Sequence, residues 1–495
     1  MTKAIIVGAG VGGLCIGIRL LNKGFKVTII EKESTTGGRV NIKKIDDYKF
    51  DLSASVLMTK ESYLDIFKEC KKDYRDYIEV MDLEHTYRVH YSDKSNYDFY
   101  SSREKMQDSL EKMRRGLSFE YNKFVDESFS KYLIAKKYFL DKPMLSIFEF
   151  LSCQSIASFF DIKPVMNSDK FIKDRISFEK LREYLIFKTM YIGTDPYESS
   201  NIYTLIPSIT QKQGLFYVKG GVYSYILALE KLFKQLGGEI ILNRKVDKVV
   251  IEKEKVAGVC SKGEFKEADL VICNADYSYS LCELFDKDLK EVNYKKKNLK
   301  NKDYSCSVFI LYLGLNKKFE ELKLHNIYLS EDFRSSIEGA FKGYIVKEPS
   351  FYMYYPSAVD ESFNKDGKTS LNIMFRVPNL SFDNIKWGKK EVKRVRDSII
   401  ETIKTKIKGL EEIEKYIEVE DYFLPKDFEE RFNCYYGNAF GLSHKLTQTN
   451  YLRGHMKSKN IKGLYFIGAS THPGNGISVV LDGTKVLEKI ILKDF

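Results

Sequence analysis

Apolar and polar residues follow two periods along this chain, and the changes of period divide it. Lys3-Ala4-Ile5-Ile6-Val7 is a short, mostly β-branched apolar run, the pattern of a buried strand. Glycines follow at once, then a helical pattern over 14–23 and a second strand pattern over 27–31. From Glu61 to about Gln213 glycine thins out and helical spacing takes over. Within 118–153, Phe119, Tyr121, Phe124, Phe129, Tyr132, Leu133 and Phe139 form an aromatic, amphipathic surface. Most of it is expected to be core, and part of it to line an apolar tunnel or a membrane-facing mouth. Glycine and strand patterning return at Gly214. A helix is predicted over 223–235, closed by Gly237-Gly238, with strands over 239–242, 246–252, 256–261 and 268–273. Runs at 304–315, 350–355 and 370–377 are strand-like, and 389–408 is a long charged helix, which together predict a mixed sheet with helices. The chain closes with a strand at 464–467, a Gly-rich turn and a helix over 477–492.

The chemistry concentrates at the two ends. Gly8-Ala9-Gly10-Val11-Gly12-Gly13 places Gly8, Gly10 and Gly13 in a G-x-G-x-x-G spacing between a strand and a helix. Such glycines make a tight turn, let backbone approach a pyrophosphate and allow close helix packing, while the helix N-terminus points free N–H groups at phosphate. Glu31 ends the second strand, where a carboxylate can accept from a ribose hydroxyl. Strand, glycines, helix, strand and acid fall in register, so an adenine dinucleotide site is expected. Lys32 leads from Glu31 into Gly37-Gly38-Arg39, an extra loop that fits a flavoprotein rather than an ordinary NAD dehydrogenase. At the other end, Gly468-Ala469-Ser470-Thr471-His472-Pro473-Gly474-Asn475-Gly476 joins a strand to a helix. A turn so rich in bare N–H groups would place a positive helix end beside the pyrimidine side of a flavin.

Composition narrows the class. The chain has 495 residues, long enough for two or three domains. Hydrophobic content of 43% and a mean hydropathy of −0.33 suit a soluble globular enzyme. The 34 Tyr and 33 Phe, against one Trp, supply material for a large apolar pocket or core. Net charge is +11, but 69 acids are interleaved with the bases, so nucleic acid is not expected as a partner. A mildly basic protein is drawn to an anionic membrane surface. The densest basic run, Lys295-Lys296-Lys297 to Lys302, reads as a solvated loop. Eight cysteines show no C-x-x-C and no ligand-like pairing with the six histidines, so free buried thiols in a reducing cytosol are expected and no metal site is. The first strand begins at Lys3, which leaves no signal-peptide pattern, and no window reaches about 20 apolar residues.

From end to end the chain resembles the bacterial-type phytoene desaturases, the flavin-dependent carotenoid and diapophytoene desaturase family. The resemblance rests on Gly8 to Gly13 with Glu31 and Gly37-Gly38-Arg39, on Gly193-Thr194-x-Pro196, and on Lys219-Gly220-Gly221 leading to Leu236-Gly237-Gly238-Glu239. It continues through Asn274-Ala275-Asp276, Ser305-Cys306-Ser307, His325-Asn326-Ile327 with Ser330-Glu331-Asp332, Pro356-Ser357-Ala358 with Asp360, and Val377-Pro378-Asn379. It ends in Gly437-x-Ala439-Phe440-Gly441 and the turn from Gly468. Three positions depart from the family pattern: Ser53-Ala54 stand for Gly-Pro, Ser478 for Pro, and Arg453-Gly454 for Arg-Pro.

The resemblance implies non-covalent FAD and desaturation of a long linear isoprenoid of the phytoene or diapophytoene type, with hydride passing to flavin N5, in carotenoid biosynthesis. The departures keep open a carotenoid isomerase, or a carotenoid terminal oxidase or unsaturated-lipid isomerase, on the same fold. It further implies dioxygen or a quinone as electron acceptor, and a cytoplasmic protein peripherally attached to a membrane. Motifs and resemblance together assign FAD to Gly8, Gly10, Gly12, Gly13, Glu31, Lys32, Gly38, Arg39, Ser55, Val246, Asn274, Gly468, Ala469, Gly476, Ile477 and Ser478. They identify no catalytic residue: His472 is expected to be structural or flavin-positioning, and Glu331, Asp332 and Asp360 to cap helices or bond loops. The expected fold is α/β, with a discontinuous Rossmann-like FAD-binding domain (1–85, 214–303 and 425–495). A substrate domain of mixed sheet and helices (86–213 and 304–424) completes an amine-oxidase-like architecture, its helical part meeting the membrane.

Overall fold

Runs that are mostly apolar need cover on both faces, and the five runs of this kind at the expected dinucleotide site share one parallel sheet. The computed structural model describes residues 1–53, 55–150, 164–286 and 289–495. In it the sheet runs Glu239–Ile241, Lys26–Ile30, Lys3–Val7, Leu270–Cys273, Leu464–Phe466. On one face the helices Val11–Asn22, Tyr223–Gln235 and Ile477–Asp494 bury Ile18, Leu229 and Leu487 against Ala4 and Ile6. On the other, Ile5, Val7 and Val271 meet Val249 and Val259 of a three-stranded antiparallel sheet, Lys248–Glu252, Lys255–Ser261 and Glu264–Glu267. Val7 pairs with Ile30 on one side and Cys273 on the other. Gly8, Glu31 and Asn274 therefore leave the sheet at one level, at its carboxyl edge and on either side of the central strand. That is the crevice where open α/β sheets take ligands.

The second sheet has seven strands in the order Ile417–Phe423, Ser307–Leu315, Thr369–Val377, Phe351–Tyr354, His325–Leu329, His85–Tyr91, Asn96–Tyr100. Its pairs are antiparallel except His325–Leu329 with His85–Tyr91, so the sheet is mixed, as expected. The helix Lys389–Lys406 packs Ile399 and Ile403 on it. Helices Arg103–Met113, Leu117–Ala135 and Glu179–Thr189 build a third core with its Tyr87, Val89 and Ile327. A small sheet of Leu57–Met58, Leu215–Val218 and Val80–Leu83 ties the cores together. Alternation does this: Phe216 and Val218 enter the first core, Leu215 and Tyr217 the third.

Two expectations need correction. Lys296 and Lys297 lie on the helix Lys290–Leu299, so the basic run is helical as far as Leu299 rather than a loop; lysine is a good helix former. The strand expected from 246 begins at Lys248, and that from 304 begins at Ser307. Of the aromatic surface, Tyr121, Phe124, Tyr132 and Phe139 are buried, while Phe119 is 74% and Leu133 53% exposed. Ala54 and Cys153 lie outside the described residues. The other seven cysteines are free thiols, five of them buried. Among the described residues no helix is long and apolar enough to cross a membrane.

Candidate functional site

The crevice at the carboxyl edge of the parallel sheet opens into a cavity of about 600 Å³ that reaches the second sheet. Its floor is backbone. Gly8 N–H donates to Ile30 O (2.9 Å), Gly37 N–H to Ala9 O (2.8 Å), and Asn274 Nδ2 to Gly8 O (3.0 Å), so three separate segments are stitched at one point. A Cβ at Gly13 would stand 2.2 Å from Gly8 O, and one at Gly12 2.6 Å from Asn274 Oδ1. Gly37 has φ +111°, and its Cβ would meet Val40 O at 2.1 Å. Glu31 is held by its own neighbourhood: Oε2 accepts from Ala9 N–H (2.7 Å) and Oε1 from Glu33 N–H (2.9 Å). Burial raises its carboxyl, while these N–H groups pull it back.

Of the residues assigned from the sequence, Gly8, Gly10, Gly12, Glu31, Lys32, Gly38, Arg39, Ser55, Val246, Asn274, Gly468, Ala469, Gly476, Ile477 and Ser478 all line this cavity. Gly13 does not; it is spent on packing the helix against Gly8. Arg39 reaches across to Ala439 O (2.9 Å), and Lys32 to Glu430 O and Asn433 Oδ1 (both 3.2 Å). At the far end the helix Ile477–Asp494 starts from Gly476 with no side-chain cap, so its first N–H groups face the cavity with the positive end of an 18-residue dipole. A crowded glycine floor, a carboxylate at the second strand and an uncapped helix N-terminus fit an adenine dinucleotide with an electron-accepting ring at its far end.

The walls are side chains. Tyr132, Phe139, Tyr203, Ile206 and Ile209 give one side an apolar, aromatic face. Ser55, Tyr191, Tyr352, Met374 and Arg376 also line the cavity. The apolar, aromatic face suits a ligand with nothing polar to hold, where shape sets specificity.

A flavin containing amine oxidoreductase family model matches residues 11–483. The 4,4'-diapophytoene desaturase (4,4'-diaponeurosporene-forming) of Staphylococcus haemolyticus strain JCSC1435 is 34% identical over 493 residues, covering 99% of this chain and 98% of its own. Its namesake from Staphylococcus aureus strain Newman is 33% identical over 497 residues, covering 99% of each. The chain belongs to the phytoene and diapophytoene desaturase family. Solved structures share its fold: an oxidoreductase from Methanosarcina mazei has a TM-score of 0.63 at 17% identity, covering 99% of this chain and 100% of that one. A putrescine oxidase bound to putrescine has a TM-score of 0.64 at 14% identity, covering 99% of each. The protein is thus a flavin-dependent oxidoreductase of amine-oxidase-like architecture.

Against the desaturase family's pattern, the departures now have places. Ser53 donates to Arg39 O (2.8 Å) and braces the loop that carries Arg39. Ser478 lines the cavity in the first turn of its helix. Arg453 is wholly buried and donates to the carbonyls of Leu442, Ser443, Gln448 and Ala469 (2.6–3.3 Å), clamping the last Gly-rich turn from behind. Burial lowers its guanidinium to about 10. A Cβ at Gly454 would come within 2.7 Å of Ser470 O.

His472 turns away from the cavity. Its Nε2 donates to Lys142 O (2.9 Å), since a carbonyl can only accept, and burial lowers its imidazole to about 4. Asp332 caps the helix Phe333–Lys342 through Ser335 N–H, and Asp360 accepts from Tyr217 O–H and Gly220 N–H. Sequence reasoning missed Tyr352 and Arg376. Arg376 is only 7% exposed, donates to Met190 O (3.2 Å) and leaves Nε unpartnered. The one available signal was a charged residue inside the otherwise uncharged strand Thr369–Val377.

Proposed function

We propose that the protein binds FAD and uses it to desaturate a long linear isoprenoid of the phytoene or diapophytoene type, a step of carotenoid biosynthesis. The observation that carries the reading is one cavity with two unlike halves: a backbone floor built for a dinucleotide, and an apolar aromatic wall continuous with it. Full-length similarity to two diapophytoene desaturases points the same way. When bound, FAD would accept the hydride that an allylic methylene gives up. The chain's own part is to hold and orient. Glu31 receives ribose hydroxyls, the glycines of the floor receive the pyrophosphate, and the helix Ile477–Asp494 favours negative charge at its N-terminus. Tyr132, Phe139 and Ile206 exclude water and align the hydrocarbon. Dioxygen or a quinone would take the electrons onward.

The same reading places the protein on a membrane, since the substrate dissolves nowhere else. Phe148, 82% exposed, and Ile147 sit on a short helix against the segment Asn450–Leu452. Leu446 and Leu452 are exposed there, and Leu446, Thr449 and Asn450 line the cavity. This apolar mouth, on a chain of net charge +11, suits an anionic lipid surface. We assign 1–85, 214–303 and 425–495 to the FAD domain and the remainder to the substrate domain.

The test is flavin-loaded protein mixed with diapophytoene in lipid vesicles, read by product mass. Loss of two hydrogens per new double bond is expected. An unchanged mass would mean an isomerase, and added oxygen a terminal oxidase.

A further inference from the structure

Removing hydride from one carbon leaves a proton to be lost from its neighbour, and an apolar wall offers few places for it. One stretch of wall is different. Ser55 Oγ lies 3.0 Å from the Tyr352 hydroxyl, which lies 2.7 Å from Nδ1 of His325. Ser55 and Tyr352 line the cavity, while His325 stands behind them, 1% exposed, with Nε2 unpartnered. The three residues come from different segments of the chain. A buried polar chain with an open end is costly to keep, which makes a purely structural role a poor account of it.

We propose that Ser55, Tyr352 and His325 form the route by which the substrate's proton leaves during desaturation. This rests on the desaturase reading above. The balance is simple. Hydride departs from an allylic methylene to the flavin, which is reduced by two electrons. The electron pair of the neighbouring C–H bond forms the new double bond. Its proton goes to the Tyr352 oxygen, and the hydroxyl's own proton passes to Nδ1 of His325, which carries its resting proton on Nε2. A carbon next to a developing allylic cation holds its proton weakly, so a neutral phenol backed by imidazole is base enough. Tyr352 is the group that faces substrate; His325 acts through it.

The surroundings suit a transient acceptor. Rings of Tyr87, Tyr352 and Tyr354 stack around His325 with centroids 5.4–5.9 Å away, and their faces stabilise a passing imidazolium. Tyr354 donates to the buried Asp51 carboxyl (3.0 Å) behind the stack. From the helix Glu179–Thr189, Lys188 faces the cluster with its Nζ 4.3 Å over the Tyr87 ring, and Tyr184 packs on Tyr87. Tyr191 bonds Tyr87 (3.1 Å), and Arg376 lies 5.8 Å from the Tyr191 ring. His85 is a further basic neighbour on the strand His85–Tyr91. Burial, Lys188 and His85 lower the His325 imidazole to about 3, so it rests neutral and gives its proton up again after each turn.

The experiment uses the flavin-loaded full chain with diapophytoene in phosphatidylcholine vesicles, without oxygen, following the loss of flavin absorbance in H2O and D2O. Tyr352→Phe and His325→Gln should each bleach about tenfold more slowly or worse, with hydrocarbon binding unchanged. D2O should slow the wild-type protein and not Tyr352→Phe, a difference that a packing role would not produce. Ser55→Ala should slow bleaching less than Tyr352→Phe, and it serves where Tyr352→Phe loses its flavin. Wild-type rates in Tyr352→Phe, or a wild-type rate indifferent to D2O, would overturn the proposal. Wild-type protein that never bleaches would instead overturn the desaturase reading.

Discussion

The floor and the wall of the cavity are built by opposite means. The floor is backbone: at Gly12 and Gly37, and at Gly13 packed behind them, side chains are absent because neighbouring groups already fill the space a Cβ would take. The wall is side chains carried by helices and strands that are otherwise ordinary: Tyr352 and His325 meet because their strands pair in the seven-stranded sheet, and Ser55 reaches Tyr352 from a distant segment. A backbone site tolerates almost no substitution but is indifferent to what lies beyond it. A side-chain site tolerates substitution and decides what reacts.

The sharpest way to break this contrast is Gly13→Ala. Its methyl would collide with Gly8 O, so the variant is expected to lose flavin entirely, read as flavin absorbance per protein after purification. A variant that keeps flavin would show the floor to be more yielding than described. Next is Arg453→Ala, which strips donors from four buried carbonyls and should destabilise the protein by about 4 kcal/mol in denaturant unfolding.

Asp51 gives a pH signature. Burial lifts its carboxyl from 3.8 to about 6, so the fold prefers it protonated. Its contribution is complete below pH about 4 and is lost as pH rises through about 6, a change of about 3 kcal/mol. Asp51→Asn should flatten that slope: its amide oxygen can keep the bonds from Val222 and Tyr354, which share one carboxylate oxygen, while the bond from Tyr223 N–H is lost. The smallest effect is expected from Glu31→Gln, about tenfold weaker flavin binding measured by titration of the apoprotein, or about 1.4 kcal/mol.

The same contrast explains what could be read from the sequence. The helix Tyr223–Gln235 was legible at both ends, because Gly220-Gly221 and Gly237-Gly238 punctuate it. The glycine floor was legible because sterics write it into residue type at fixed spacing. Glu31 and Asn274 followed, since each ends a strand beside the central one. Tyr352, His325 and Arg376 were not, although His325 stood in a recognisable motif. Their role depends on which strand lies opposite, and strand order in a seven-stranded sheet leaves no local trace. The lysine run at 295–302 misled for a related reason: charge density marks exposure, and an exposed helix is as charged as an exposed loop.

The central claim is that one cavity joins a flavin to a linear hydrocarbon. It is tested most directly by mixing flavin-loaded wild-type protein with diapophytoene in vesicles, without oxygen, and following flavin absorbance and product mass together. Bleaching matched by loss of two hydrogens from the hydrocarbon is the predicted result. Flavin that stays oxidised, with the hydrocarbon recovered intact, would contradict it.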